Sequence, residues 1–158
     1  MPLGRIEDFR PEILHDLMET KGVTRAYLAA NTSVTVSVVS RWLSGTGSPS
    51  PARAKRIAEI LNVDVLDLSG KTIETADIVD LRQRLGLTAK EAGHSAGLSK
   101  QQIYEIESAI TWPSDKRLSE LAETYKQTLP VLRSAWIRRR ISRFGRESLK
   151  QIPELRDN

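Results

Sequence analysis

The side chains in this chain that could do chemistry are cationic and neutral hydrogen-bond donors, grouped at helical spacing. Val36, Ser37, Ser40 and Arg41 stand at i, i+1, i+4 and i+5, the spacing of one helix face. Sixty-four residues later Lys100, Gln101, Tyr104 and Glu105 repeat that spacing. A third group, Arg133, Arg138, Arg139, Arg140, Arg143 and Arg146, crowds the C-terminal part. Guanidinium and ammonium groups suit phosphates and other anions. The residues for bond-making chemistry are missing. There is no cysteine, His15 and His94 are isolated, and no Gly-rich phosphate loop is present. Glu105 and Glu107 read as a helix face and an internal acceptor, not an acid/base pair. The expectation is a protein that is not an enzyme, with no cofactor and no metal.

Charge placement points the same way. Residues 11–68 balance six basic against six acidic side chains, and residues 72–129 carry seven basic and nine acidic. Residues 130–158 carry eight basic and three acidic, so the overall +4 arises at that end. A basic end fits a polyanionic partner, most simply nucleic acid. No run approaches the ~20 apolar residues of a membrane span, and the first ten residues lack a secretory apolar core. A cytoplasmic protein with a buried core is expected from the 39% hydrophobic content.

The elements that must position these side chains repeat with a period of 64. Leu17 aligns with Leu81, Gly22 with Gly86, Thr24 with Thr88, Ser44 with Ser108 and Pro49-Ser50 with Pro113-Ser114. The first copy predicts helices near 10–21, 25–31 and 36–43. A fourth opens at Pro51, and Asp64 caps a short turn over 65–68. Thr24 and Thr35 are caps, Gly22 is a stop, and Gly45 and Gly47 open a loop. Propensity alone makes the β-branched run Val34–Val39 a strand, but the caps and the Trp42 spacing favour a helix. In the second copy Thr88…Glu91 and Ser99…Gln102 have capping-box spacing. Residues 69–74 read as a linker. A longer helix is expected over 130–144, followed by a frayed end around Pro153. The domain boundaries are therefore 10–68, 75–129 and a basic helix and tail over 130–158.

Thr24-Arg25-Ala26-Tyr27-Leu28-Ala29, Ser33-Val34-Thr35, Val39-Ser40-Arg41-Trp42, Gly45 and Pro49-Ser50 resemble the Cro/phage-repressor-type (XRE-like) helix-turn-helix family. Residues 88–113 resemble a second, more divergent member. There Gly93 and Ala109 replace the family's usual alanine and glycine. Leu43 replaces a usual glutamate that the second copy keeps as Glu107.

The resemblance implies an all-α fold of two tandem helix-turn-helix modules plus the basic C-terminal helix. It also implies a DNA-binding transcriptional regulator, a repressor of bacterial, phage or mobile-element origin. The other reading is a protein-interaction regulator of antitoxin or antiactivator type, whose second module binds a protein. In the first reading Val39 and Trp42 face inward, while Val36, Ser37, Ser40 and Arg41 face the major groove. Arginine can pair with guanine, valine can touch a thymine methyl, and serine can bond several base edges. The resemblance places Arg25 near a phosphate and Thr35 at the start of the reading helix. The second copy offers Lys100, Gln101 and Tyr104, and the last helix offers Arg138, Arg139 and Arg143. Two unlike heads imply one chain on an asymmetric double-stranded site; a homodimer through the C-terminal helix is the other arrangement.

Overall fold

The computed structural model describes residues 5–156. All regular elements among them are helical. The chain divides into two compact units. The first comprises residues up to Thr72 together with 83–86, and the second comprises 73–82 and everything from Leu87 onward.

The first unit holds α1 (Pro11–Lys21), α2 (Arg25–Thr32), α3 (Val36–Ser44), α4 (Pro51–Leu61) and a 3₁₀ turn, Val65–Ser69. Local chemistry sets each boundary. The hydroxyls of Thr24, Thr35 and Ser50 accept from Tyr27, Val38 and Arg53 N–H at the three helix starts. Gly22 and Gly45 end α1 and α3 in the left-handed conformation, and Ser33 does the same for α2. The β-branched run is a helix from Val36 onward, because the Thr35 cap and the burial of Val39 and Trp42 outweigh strand propensity. Leu14, Leu28, Val39, Trp42, Ile57 and Leu61 form the core. Ile6 joins it and donates its N–H to Pro49 O (2.9 Å), so this unit starts before the expected residue 10. The expected linker is also tied down: Ser69 Oγ donates to Glu7 O, and Lys71 Nζ pairs with Asp8 at 2.7 Å.

The second unit holds α5 (Ile78–Arg84, whose last two residues group with the first unit), α6 (Ala89–Ala96), α7 (Lys100–Ser108), α8 (Asp115–Thr124) and α9 (Leu129–Phe144). Both expected capping boxes are complete, Thr88 with Glu91 and Ser99 with Gln102. Gly93 lets the turn after α6 come close: a Cβ there would lie 2.6 Å from Leu98 O. Ala109 ends α7 in the left-handed region, φ 56°, where the first unit has Gly45. Trp136 is fully buried, donates Nε1 to Ile106 O (3.0 Å) and meets Trp112 edge-on. The residues after α9 are packed instead of frayed, with Ile152 and Ser148 buried. α9 thus belongs to the second unit's core.

One pair of repeat positions differs in kind. Arg82 donates to both Glu107 oxygens at 2.6 and 3.2 Å, in a buried ion pair. Sixty-four residues earlier the same positions are Met18, buried, and Leu43, packed against the core. Desolvation works against the Arg82 charge, but Glu107 holds its pKa above the ordinary value.

Candidate nucleic-acid interface

α3 sorts its residues by face. Val39 and Trp42 are 0% and 3% exposed, whereas Val36 is 47% exposed and Ser37 and Arg41 are also exposed. The Arg41 guanidinium makes no hydrogen bond or ion pair among the described residues. Arg25, at the first position of α2, reaches across to α3: its Nη1 donates to Ser40 Oγ at 3.2 Å. The fold therefore brings Arg25, Thr35, Val36, Ser37, Ser40 and Arg41 onto one exposed surface of the first unit. Tyr27, 55% exposed on α2, is a large aromatic side chain that the sequence pattern did not single out.

α7 repeats the sorting with different chemistry. Ile103 and Ile106 are buried, while Lys100, Gln101 and Glu105 are exposed. Lys100 Nζ sits 5.6 Å from the Tyr104 ring centroid, a cation–π distance. The position equivalent to Arg25 is Ala89, which is buried.

The arginines of α9 differ most from expectation. Arg139 is 7% exposed; Nε donates to Glu107 O at 3.1 Å and Nη1 pairs with Asp77 at 3.3 Å. Arg138 donates to Ala76 O and Ile73 O at 2.6 and 3.2 Å. Burial lowers its pKa from the ordinary arginine value, against the pull of Asp77, Asp80 and Glu74. Arg140 is buried and donates to Ala109 O and Ile110 O at 2.8 and 2.9 Å. Arg143 is exposed, but its Nη1 donates to Ser108 O at 2.9 Å. Together Arg139, Arg140 and Arg143 supply donors to the four carbonyls from Glu107 to Ile110, the C-terminal end of α7. A helix C-terminus leaves such carbonyls orphaned and carries partial negative charge, so cations there are doubly favoured. Arg138 and Arg139 therefore hold the second unit together, where the sequence suggested phosphate contacts. The signal for this was present: residues 139 and 140 lie three and four after Trp136, on its buried face.

On α1, His15, Asp16 and Glu19 gather at the surface. The two ring nitrogens of His15 lie 3.6 and 3.8 Å from one carboxylate each, an arrangement of surface pairs. No helix among the described residues is long and apolar enough to cross a membrane.

A family model described as helix-turn-helix matches residues 14–68 and again 78–132. The chain belongs to the XRE-type helix-turn-helix family. The two matched stretches cover most of the chain and fall on the two sets of helices described above. This helix-turn-helix protein is a DNA-binding transcription regulator. Searches of curated proteins and of solved structures returned no match.

Proposed function

We propose that this helix-turn-helix protein is a sequence-specific repressor that acts by occupying promoter DNA with the first unit. α3 enters the major groove; Arg41 pairs with guanine, Val36 meets a thymine methyl, and Ser37 and Ser40 bond neighbouring base edges. Arg25 and the Thr35 end of α3 meet the phosphate backbone. The observation that supports this reading is the sorting of α3. Its inward residues are buried, and Arg41 stands exposed with no bond among the described residues. An exposed guanidinium of that kind can be given wholly to a ligand.

Base reading falls to the first unit. The second presents Lys100 and Gln101 to solvent, but Glu105 puts a negative charge where Arg41 is positive. Selecting bound sequences from a random DNA pool, then footprinting them, tests the proposal. Enrichment of a defined sequence protected by the wild-type protein, and its loss with R41A, is the expected result. No enrichment would overturn it.

A further inference from the structure

The same place in the two units carries a groove, and the two grooves differ in character. In the first unit Arg5, Arg41 and Arg53 stand around the loop Thr46–Ser50, enclosing about 200 Å³. In the second unit the positions of Arg41, Thr46, Ser48 and Arg53 are Glu105, Ile110, Trp112 and Arg117, and the groove has grown to about 580 Å³. Three cations with hydroxyl neighbours have become one anion, one cation and two large apolar side chains. Ile110 is 62% exposed. Phe144, 45% exposed, lies near it: the Arg140 guanidinium that binds Ile110 O also lies 4.7 Å from the Phe144 ring centroid. A phosphate backbone would find repulsion from Glu105 and no donor at Ile110.

We infer that this groove of the second unit docks the same groove of a second copy of the chain. The charges choose that occupant. Among the described residues neither the Glu105 carboxylate nor the Arg117 guanidinium has a hydrogen-bond or ion-pair partner. They line one groove around an apolar centre, with no net charge. In an isologous two-fold contact each chain offers Glu105 to its partner's Arg117 while Ile110 and Trp112 are covered. The arginine-lined groove of the first unit would repel its own copy. The proposal rests in part on the reading that the first unit alone contacts bases. One such head per chain needs a second for selectivity, and a second copy supplies it.

The test uses the full chain without DNA, so that a failure of DNA reading leaves it intact. Sedimentation at micromolar concentration should give twice the 17.7 kDa chain mass. I110D, at an exposed position, should keep the wild-type helical circular dichroism and raise the dimer dissociation constant at least about tenfold. E105R should weaken the dimer, and E105R/R117E should restore it. A wild-type monomer at about 100 μM would overturn the proposal, as would an I110D dimer as tight as wild type. A swapped pair with no recovery would overturn the Glu105–Arg117 contact. On selected DNA, two chains on an inverted repeat agree with it, and one chain on a non-palindromic site does not.

Discussion

Replacing Arg41 with alanine separates base reading from folding cleanly. The guanidinium bonds nothing among the described residues, so truncation removes no internal hydrogen bond or ion pair. The helix should survive, since alanine is the best helix former and Thr35 and Gly45 still set its ends. The whole cost should therefore appear in binding. One good bidentate arginine–guanine pair discriminates by about 1–3 kcal/mol, roughly 5- to 150-fold. Competition between the selected site and a scrambled duplex, at one fixed salt concentration, measures that ratio directly. The preference should collapse while the thermal melt stays put. The companion variant R25A should lower affinity for both duplexes alike, and its loss should shrink as salt rises. If R41A keeps the wild-type preference, α3 does not read bases through its outward face.

Four further outcomes concern stability. E107L should destabilise the second unit by about 3–5 kcal/mol by stranding Arg82, while R82M/E107L, which copies Met18 and Leu43, should recover most of the loss; an E107L melt equal to wild type would refute the pair's role. G93A should cost about 1–3 kcal/mol, because its Cβ meets the Leu98 carbonyl at 2.6 Å. A109G should gain about 0.5–1 kcal/mol in denaturant unfolding by relieving a left-handed alanine. Asp64 is partly buried, which raises its pKa, but hydrogen bonds from Arg84 (2.7 and 2.8 Å) and Leu66 N–H outweigh this and hold it below the ordinary value. Its contribution is therefore present above the unfolded carboxylate pKa of about 4 and is lost as pH falls through the folded value; melts of wild type and D64N should converge at acid pH, and parallel curves would refute this.

The α3 helix was legible because several local signals agreed. Thr35 caps it, Gly45 stops it, and Val39 with Trp42 marks its inner face, so the β-branched run could be overruled. The fate of the α9 arginines was not legible from charge. Composition counts a guanidinium equally whether it faces solvent or the carbonyls of Glu107 to Ile110. Which carbonyls need donors depends on how α7 ends, and there Ala109 stands in place of a glycine. The buried Ile152 was missed for a related reason: Pro153 marks a break in helix, not an end to packing. Nor does sequence alone show that Ile110 is uncovered, since an apolar residue after a helix is more often buried than exposed.

Tandem copies of one fold face a hazard during folding, because a helix from one copy can pair with the complementary helices of the other. The Arg82–Glu107 pair would oppose such an exchange. If α5 were to dock in the place of α1, the Arg82 guanidinium would be buried against Leu43 with no carboxylate to pair with. If α7 took the place of α3, the Glu107 carboxylate would face Met18. Either exchange strands a charge in an apolar interior, at a cost of several kcal/mol that correct assembly avoids. The ion pair in one half and its apolar counterpart in the other would therefore favour each helix in its own half of the chain.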